Sequence, residues 1–369
     1  MAQQHLDPTD PVAGPVTGDA LAVYLRAQAT EFLRALRQHR ESGAGSGNNG
    51  TEETVDAARA LRRSARRISG SLHTFRPLLD TDWSEGMRPE LAWLSGTLAL
   101  EHAYAARLER LLQALHRLSG ATFPSQPVNA AAAGVAAGGR AAGTRVAAGA
   151  PPIAGPAAPP ERGNLTVGAA KAGALLERQL TLARTRAHST ALQALGSSRF
   201  HAVADKVAVL ASEVPLTPAA ATADLRPQSS AAEERLTDAV AALPLVTAGH
   251  PYNAAALIHG LSPDPSPHPQ DAPWHQVRLL LRLHRYAREV LEGANAPVDV
   301  RLLTAGQALN RHRDASEAAA AAAAAARTPR IAPATAYALG VLHADQRHEV
   351  EAARFEFQQS WQKHTVGTS

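Results

Sequence analysis

Arginines without any acidic neighbour fill a stretch near the start of the chain. Asp56 and Asp80 bound this stretch, and no acidic residue lies between them. The basic residues of interest are Arg59, Arg62, Arg63, Arg66, Arg67 and His73. On a helix, positions 59, 62, 66 and 73 fall within about 60° of one another. Solvated helix faces usually mix signs, so a face of one sign predicts a binding surface for an anion.

A second acid-free stretch runs from Trp274 to Ala287. Its basic residues follow spacings of three, four and three, and are His275, Arg278, Arg282 and Arg285. They lie within about 80° of one another on a helix. The guanidinium group is a planar fork suited to phosphate and carboxylate oxygens. We call residues 59, 62, 63, 66 and 67 the first stripe, and these four the second stripe.

Two stripes on separate helices suggest one shared polyanion. An alternative is that each stripe is a solvated surface, or pairs with acids of another helix such as Glu101 or Glu351. Only Lys171, Lys206 and Lys363 are lysines among the 37 basic residues. A GC-rich genome would produce this excess of arginine over lysine without any functional meaning.

The elements that carry the stripes are predicted to be helices. Alanine supplies about a fifth of the chain and aromatic residues only 4%, a composition that favours close-packed helices over large sheets. Opposite the first stripe, Leu61, Ala65, Ile68 and Leu72 provide a face to bury. We therefore predict an all-α protein with no strands.

The chain divides into segments by composition. We predict a disordered lead over 1–18, a first helical bundle over 19–121 and an insertion rich in Ala, Gly and Pro over 122–164. A second helical part follows over 165–364, with a tail over 365–369. One helix of the first bundle is predicted over Pro89–Leu118. The alanine run 318–326 is predicted to be helical, either solvated or tightly packed.

Several classes of function are excluded by what the sequence lacks. There is no cysteine, hence no disulfide, thiolate metal site or cysteine nucleophile. The 16 histidines do not follow metal-binding spacings, and no phosphate-binding loop or nucleophile elbow is present. We expect no catalytic residue, no metal and no cofactor. With no signal peptide or apolar span, we expect a cytoplasmic protein without membrane contact.

Both basic stretches resemble the signature helices of the conserved histidine α-helical domain (CHAD) family. The run from Ala58 to Leu79 is similar to the family's first-half pattern, which ends in Phe-x-Pro-Leu-Leu. The run from Trp274 to Glu289 resembles the second-half pattern H-x-x-R-x-x-x-K-R-x-R-Y-A-x-E. Arg59 and Arg63 replace a histidine and a hydrophobic residue of the family pattern, so the first half diverges.

The resemblance implies two pseudo-symmetric antiparallel helical bundles with a basic central channel that binds inorganic polyphosphate without catalysis. The two stripes would supply the binding residues. Supporting contacts are expected from His73, Arg311 and Arg313. Association with polyphosphate granules is a further expectation for a protein that binds this polymer.

Two other functions remain open at this point. One is binding to the phosphate backbone of a nucleic acid, although stacking aromatics are sparse near the stripes. The other is a granule-associated scaffold with degenerate anion binding. Protein partners are not indicated by the sequence.

Overall fold

The computed structural model describes residues 16–44, 48–120, 160–250, 253, 261, 268–293 and 298–362. Most of these residues lie in helices. In chain order the helices are α1 (Gly18–Ala44), α2 (Asn48–Thr74), α3 (Thr81–Ser119), α4 (Pro160–Leu195), α5 (Ser198–Ser212), α6 (Arg226–Ala241), α7 (Leu245–Ala248), α8 (Ala272–Glu292), α9 (Val300–Ala326) and α10 (Pro333–Gln362).

The predicted all-α class is confirmed. Within the described ranges there is no strand, and the single isolated β-bridge pairs Leu79 with Leu216. The predicted two-bundle symmetry is consistent with this architecture. The proposed lead, insertion and tail lie outside the described residues, apart from residues 16–18 of the lead and residues 160–164 of the insertion, which belong to the start of α4.

One core joins the two halves of the chain. It collects buried side chains from α1, α2, the start of α3, α5 and the end of α8. Phe32 of α1, Leu72 of α2 and Phe200 of α5 are all fully buried in it. The predicted buried face of the first basic helix is confirmed, because Leu61, Ala65, Ile68 and Leu72 each have no exposed surface. This burial fixes which side of α2 remains available for a ligand.

Two further cores hold the second half of the molecule. One lies between α3, α4, α9 and α10, and the other joins α6 and α8 to the first part of α9 and to Phe357 of α10. The alanine run is tightly packed rather than solvated. Ala318, Ala322 and Ala325 are fully buried, because methyl side chains let α9 and α10 approach closely along their length.

The helix predicted over Pro89–Leu118 begins earlier than the sequence suggested. It starts at Thr81, with Asp80 as N-cap accepting a hydrogen bond from the backbone N–H of Trp83 at 2.8 Å. Pro89 lies inside α3 on its exposed side. The predicted start is wrong because the Asp80 cap stabilises a turn further upstream, and Pro89 is accommodated within the helix.

None of the helices in the described part of the chain combines the length and hydropathy needed to cross a membrane.

Candidate anion-binding site

The helix α2 presents half-buried arginines beside its buried face. Because the apolar residues of α2 are packed into the first core, Arg62 and Arg66 are held at the edge of the contact between α2 and the second half of the chain. Both side chains are partly shielded from water. Arg59 and Arg63 lie further out and are exposed.

The helix α8 presents its own arginines from a similar position. Trp274, Val277 and Leu281 bury one side of α8 at 1% exposure or less. Arg278 and Arg282 lie next to that side and are half-buried. The Nε atoms of both guanidinium groups are buried without a hydrogen-bond partner among the described residues, which is unfavourable for a charged group.

The two helices meet closely where the stripes approach each other. Gly70 of α2 faces Tyr286 of α8, and a Cβ atom at position 70 would lie 2.6 Å from Cδ2 of that ring. Only a glycine leaves room for this approach. It brings Arg66 within electrostatic range of Arg282.

The arginines of the two helices are partly buried and repel one another. Burial, together with the charges of Arg282 and Arg313, lowers the pKa of Arg278 to about 9. Burial and the charges of Arg62 and Arg282 likewise lower the pKa of Arg66 to about 10. Since arginine keeps its proton under physiological conditions, burial and the neighbouring positive charges make these guanidinium groups unfavourable when no anion is bound.

Arg313 of α9 lies within range of both stripes. Its charge lowers the pKa values of Arg62, Arg66, Arg278 and Arg282, in addition to the effect of burial. Its own guanidinium contacts Asp314, with an Nε–Oδ1 distance of 2.9 Å. We call Arg62, Arg66, Arg278, Arg282 and Arg313 the arginine cluster. Among the described residues, the first four members form no ion pair, and Arg278 donates to Oδ1 of Asn310 at 3.3 Å.

Two histidines lie beside the arginine cluster. His275 of α8 has a pKa lowered by burial and by Arg278, with Asp271 opposing the shift. His102 of α3 has a pKa lowered by burial and by the charges of Arg59 and Arg62. His102 was not among the predicted site residues, since no basic stripe runs through the α3 sequence.

Other predicted site residues form ion pairs with carboxylates. Arg59 pairs with Asp56 at 3.0 Å, and Arg311 pairs with Glu356. Arg67 donates through Nε and Nη2 to both oxygens of Glu289, at 2.7 and 3.2 Å.

Three predicted residues lie elsewhere. Nδ1 of His73 is 3.0 Å from Nη2 of Arg88. Arg63 and Arg285 line a separate cavity between α1, α2 and α8. The sequence showed like-charged stripes, but it gave no signal for these long-range contacts.

A buried charge network fixes the start of α8. Asp271 has no exposed surface and accepts hydrogen bonds from Arg347 at 2.8 and 3.2 Å and from Arg354 at 2.6 Å. Burial raises the pKa of Asp271, but the hydrogen bonds and charge of Arg347 outweigh this and hold it well below its usual range. Trp274 stacks on His312, with ring centroids 5.6 Å apart. The network ties α8 to α9 and α10.

The chemistry available at the site is anion binding. Within the part of the chain that the structure describes, no group of three or more histidine and acidic side chains could hold a metal ion. The arginine cluster offers hydrogen-bond donors and positive charge, with Asp314 as the nearest acid that acts on it.

Comparison with known proteins agrees with the two-helix pattern. The CHAD domain family matches residues 27–323, which is most of the chain. The chain belongs to the CHAD family. A solved structure described as PptA from Streptomyces chartreusis is 70% identical, with 95% of this chain and 100% of that chain covered and a TM-score of 0.73. No curated protein matches the chain significantly.

The CHAD match contains the whole arginine cluster but ends inside α9. Asp271 lies within the match, but its two hydrogen-bond donors, Arg347 and Arg354, lie beyond it on α10. In this CHAD protein, a helix outside the matched range therefore anchors the helix that carries two of the five members of the arginine cluster.

Proposed function

We propose that this CHAD protein binds inorganic polyphosphate without catalysis, through the arginine cluster. One observation carries the proposal. Burial, together with the positive charges of neighbouring guanidinium groups that include Arg313 of α9, lowers the pKa values of four half-buried arginines of α2 and α8, and these four form no ion pair with any described residue.

A linear polyanion matches this arrangement. Each guanidinium can form bidentate hydrogen bonds to phosphate oxygens, and each charge-assisted bond contributes about 1.5–3 kcal/mol where water is partly excluded. A chain of phosphates places one charge at every repeat and so neutralises several arginines at once. Much of the affinity then comes from counterion release and weakens with salt.

Polyphosphate is favoured over nucleic acid by the state of the nearby aromatic rings. Trp274 is 1% exposed and stacks on His312, while Tyr286 packs against Gly70. Neither ring is free to stack on a base, which is the usual platform for single-stranded nucleic acid. Recognition through phosphate alone remains the better fit.

The test compares ligands of matched charge. Long-chain polyphosphate and single- and double-stranded DNA are titrated at several salt concentrations by calorimetry or gel shift. We expect polyphosphate to bind more tightly, with log K falling by about 0.7 per tenfold rise in salt for each charge neutralised, as for a single strand. Equal or tighter DNA binding would contradict the ligand assignment.

A charge reversal locates the site. The double variant R278E/R282E should lose polyphosphate binding with unchanged circular dichroism, since both side chains lie beside the core rather than in it. The matched control is R178E/R186E, which reverses two exposed arginines of α4 and changes the net charge equally. Loss of binding in both variants would indicate a diffuse charge effect. Release of phosphate from the bound polymer would contradict the non-catalytic role.

We further propose that the CHAD unit extends over 19–364 and that the protein associates with polyphosphate granules. Support for the boundary comes from α10, whose Arg347 and Arg354 hold Asp271 in place. A truncation after residue 332 should therefore unfold the protein. Granule association is tested by the position of a fluorescent fusion protein in cells with and without polyphosphate. If the R278E/R282E variant still localises to the granules, the protein is a granule scaffold that does not need the arginine cluster.

A further inference from the structure

A cavity of about 790 Å³ lies apart from the arginine cluster. Its walls come from α1, α2, the end of α8 and the start of α9. Arg63 and Arg67 of α2 and Arg285 of α8 contribute to its lining, whereas no member of the arginine cluster does so. Its volume falls in the range of small-molecule sites.

The walls of the cavity are mostly apolar, and their rim is unusually exposed. Val23 is 64% exposed, Val298 73% and Leu303 39%, and all three line the cavity together with Leu302. Large apolar side chains that gather around an opening with this much exposure indicate a surface for an apolar ligand.

The polar side of the cavity is organised by ion pairs. Glu289 binds Arg67 and also accepts a hydrogen bond from the hydroxyl of Tyr24 at 2.9 Å. Burial, followed by the charge of Glu289, raises the pKa of Tyr24, so the hydroxyl stays protonated as a donor. Arg288 is held between Glu292 and Asp299, at 2.8 and 2.9 Å.

Two cations in the lining lack such partners. Arg63 and Arg285 form no ion pair with any described residue. The remaining acid in the lining, Glu31, pairs with Arg34 of its own helix. The cavity therefore combines apolar walls with two uncompensated guanidinium groups.

We propose that this cavity binds an amphipathic organic monoanion. Its carboxylate or phosphate head contacts Arg63 and Arg285, and its apolar body lies against Val23, Leu302 and Leu303. Two guanidinium groups without ion-pair partners, in a lining whose other charges are paired, complement such a ligand, while polyphosphate has no apolar part to place against the valine and leucine side chains. The site is distinct from the arginine cluster and does not depend on the polyphosphate proposal.

The first experiment uses octanoate and 1-octanol as probes of the full-length protein, by calorimetry. We expect saturable binding of one octanoate, about tenfold tighter than 1-octanol because of the charged head. The double variant R63Q/R285Q should remove that difference and leave the affinity for 1-octanol unchanged. Equal affinities in the unmodified protein would overturn the role of the two arginines.

Charge placed at the rim gives a second test. V23E and L303E should each weaken octanoate binding by about tenfold, without changing polyphosphate binding. V209E is the matched control, since Val209 is 58% exposed on α5 and lies outside the lining. Equal weakening by V209E would show non-specific adsorption, and so would overturn the proposal.

Competition separates the two sites. Saturating polyphosphate should leave octanoate affinity within about twofold of its value in the free protein, because the two ligands contact different residues. Stoichiometric displacement of octanoate by polyphosphate would overturn a separate site. Binding of octanoate in a protein that fails to bind polyphosphate would still support the cavity while contradicting the polyphosphate proposal.

Discussion

Gly70 of α2 lies against the ring of Tyr286 of α8, with room for a hydrogen atom and no more. A Cβ atom at position 70 would lie 2.6 Å from Cδ2 of Tyr286 and 3.3 Å from Cδ2 of Leu283. This contact sets the distance between the two helices that carry most of the arginine cluster. Spacing of the cluster therefore depends on a residue that carries no charge.

Replacing Gly70 by alanine should separate the two helices. We expect a loss of about 1–3 kcal/mol in the free energy of unfolding from overpacking, together with weaker polyphosphate binding. The control is Gly96→Ala in α3, where a Cβ atom meets no other atom within 4 Å; it should stabilise the protein by about 0.5–1 kcal/mol. Urea unfolding and calorimetry measure both effects. Unchanged binding in the Gly70 variant would show that helix spacing does not matter.

Removing one charge from the arginine cluster should stabilise the free protein. In Arg278→Gln, the repulsion from Arg282 and Arg313 disappears, which we expect to raise stability by a few tenths of a kcal/mol per like-charge pair. Polyphosphate binding should weaken in the same variant. Thermal unfolding at low salt checks the first effect and calorimetry the second.

The matched control for that experiment is Arg117→Gln. Arg117 is an exposed arginine whose Nη2 pairs with Asp345 at 3.0 Å, so its removal should leave stability nearly unchanged or slightly lower. A wild-type protein more stable than Arg278→Gln at low salt would argue against repulsion in the cluster.

Two aspartates offer a contrast in burial. Asp271→Asn should destabilise the protein by about 3–5 kcal/mol, because Arg347 and Arg354 would keep buried charges without their carboxylate. Asp314→Asn removes a partly exposed partner of Arg313, so its effect on stability should be below about 1 kcal/mol. It should also tighten polyphosphate binding, since an acid beside the cluster is lost. Urea titrations measure the loss of stability in each variant, and calorimetry measures polyphosphate binding. A larger loss of stability in Asp314→Asn than in Asp271→Asn would contradict this contrast.

Binding should take up protons near neutral pH. The pKa values of His102 and His275 lie below the ordinary value in the free protein, chiefly through burial and then through neighbouring arginines. A bound polyanion favours the protonated forms, so affinity should rise as the pH falls from about 7.5 to 5.5. Calorimetry in buffers of different ionisation enthalpy measures the uptake.

The same histidines have the opposite effect on the free protein. Because their folded-state pKa values are lowered, the unfolded chain binds more protons below its histidine pKa of about 6.5. This contribution to stability is full at higher pH and decreases as the pH falls through that value. His275→Gln should reduce both the proton uptake and this dependence. A pH-independent affinity would contradict the assignment of either histidine to the site.

Much of the architecture follows from local properties of the sequence. The periodicity of apolar residues determines that α2 and α8 are helices. The absence of acidic residues between Asp56 and Asp80 and between Trp274 and Ala287 determines their basic faces. Such features depend on neighbours within one or two helical turns, and so they can be read directly. The start of α3 was missed because a single cap, Asp80, outweighed the signal from Pro89.

The membership of the site was decided by contacts between distant parts of the chain. Nothing near Arg67 in the sequence reveals that Glu289 neutralises it, and nothing near Arg313 reveals that it faces both α2 and α8. Helical periodicity determined which arginines share a face. Only the packing of α2, α8 and α9 determined which of them remain unpaired, because electrostatic interactions depend on distance in space and not on separation along the chain.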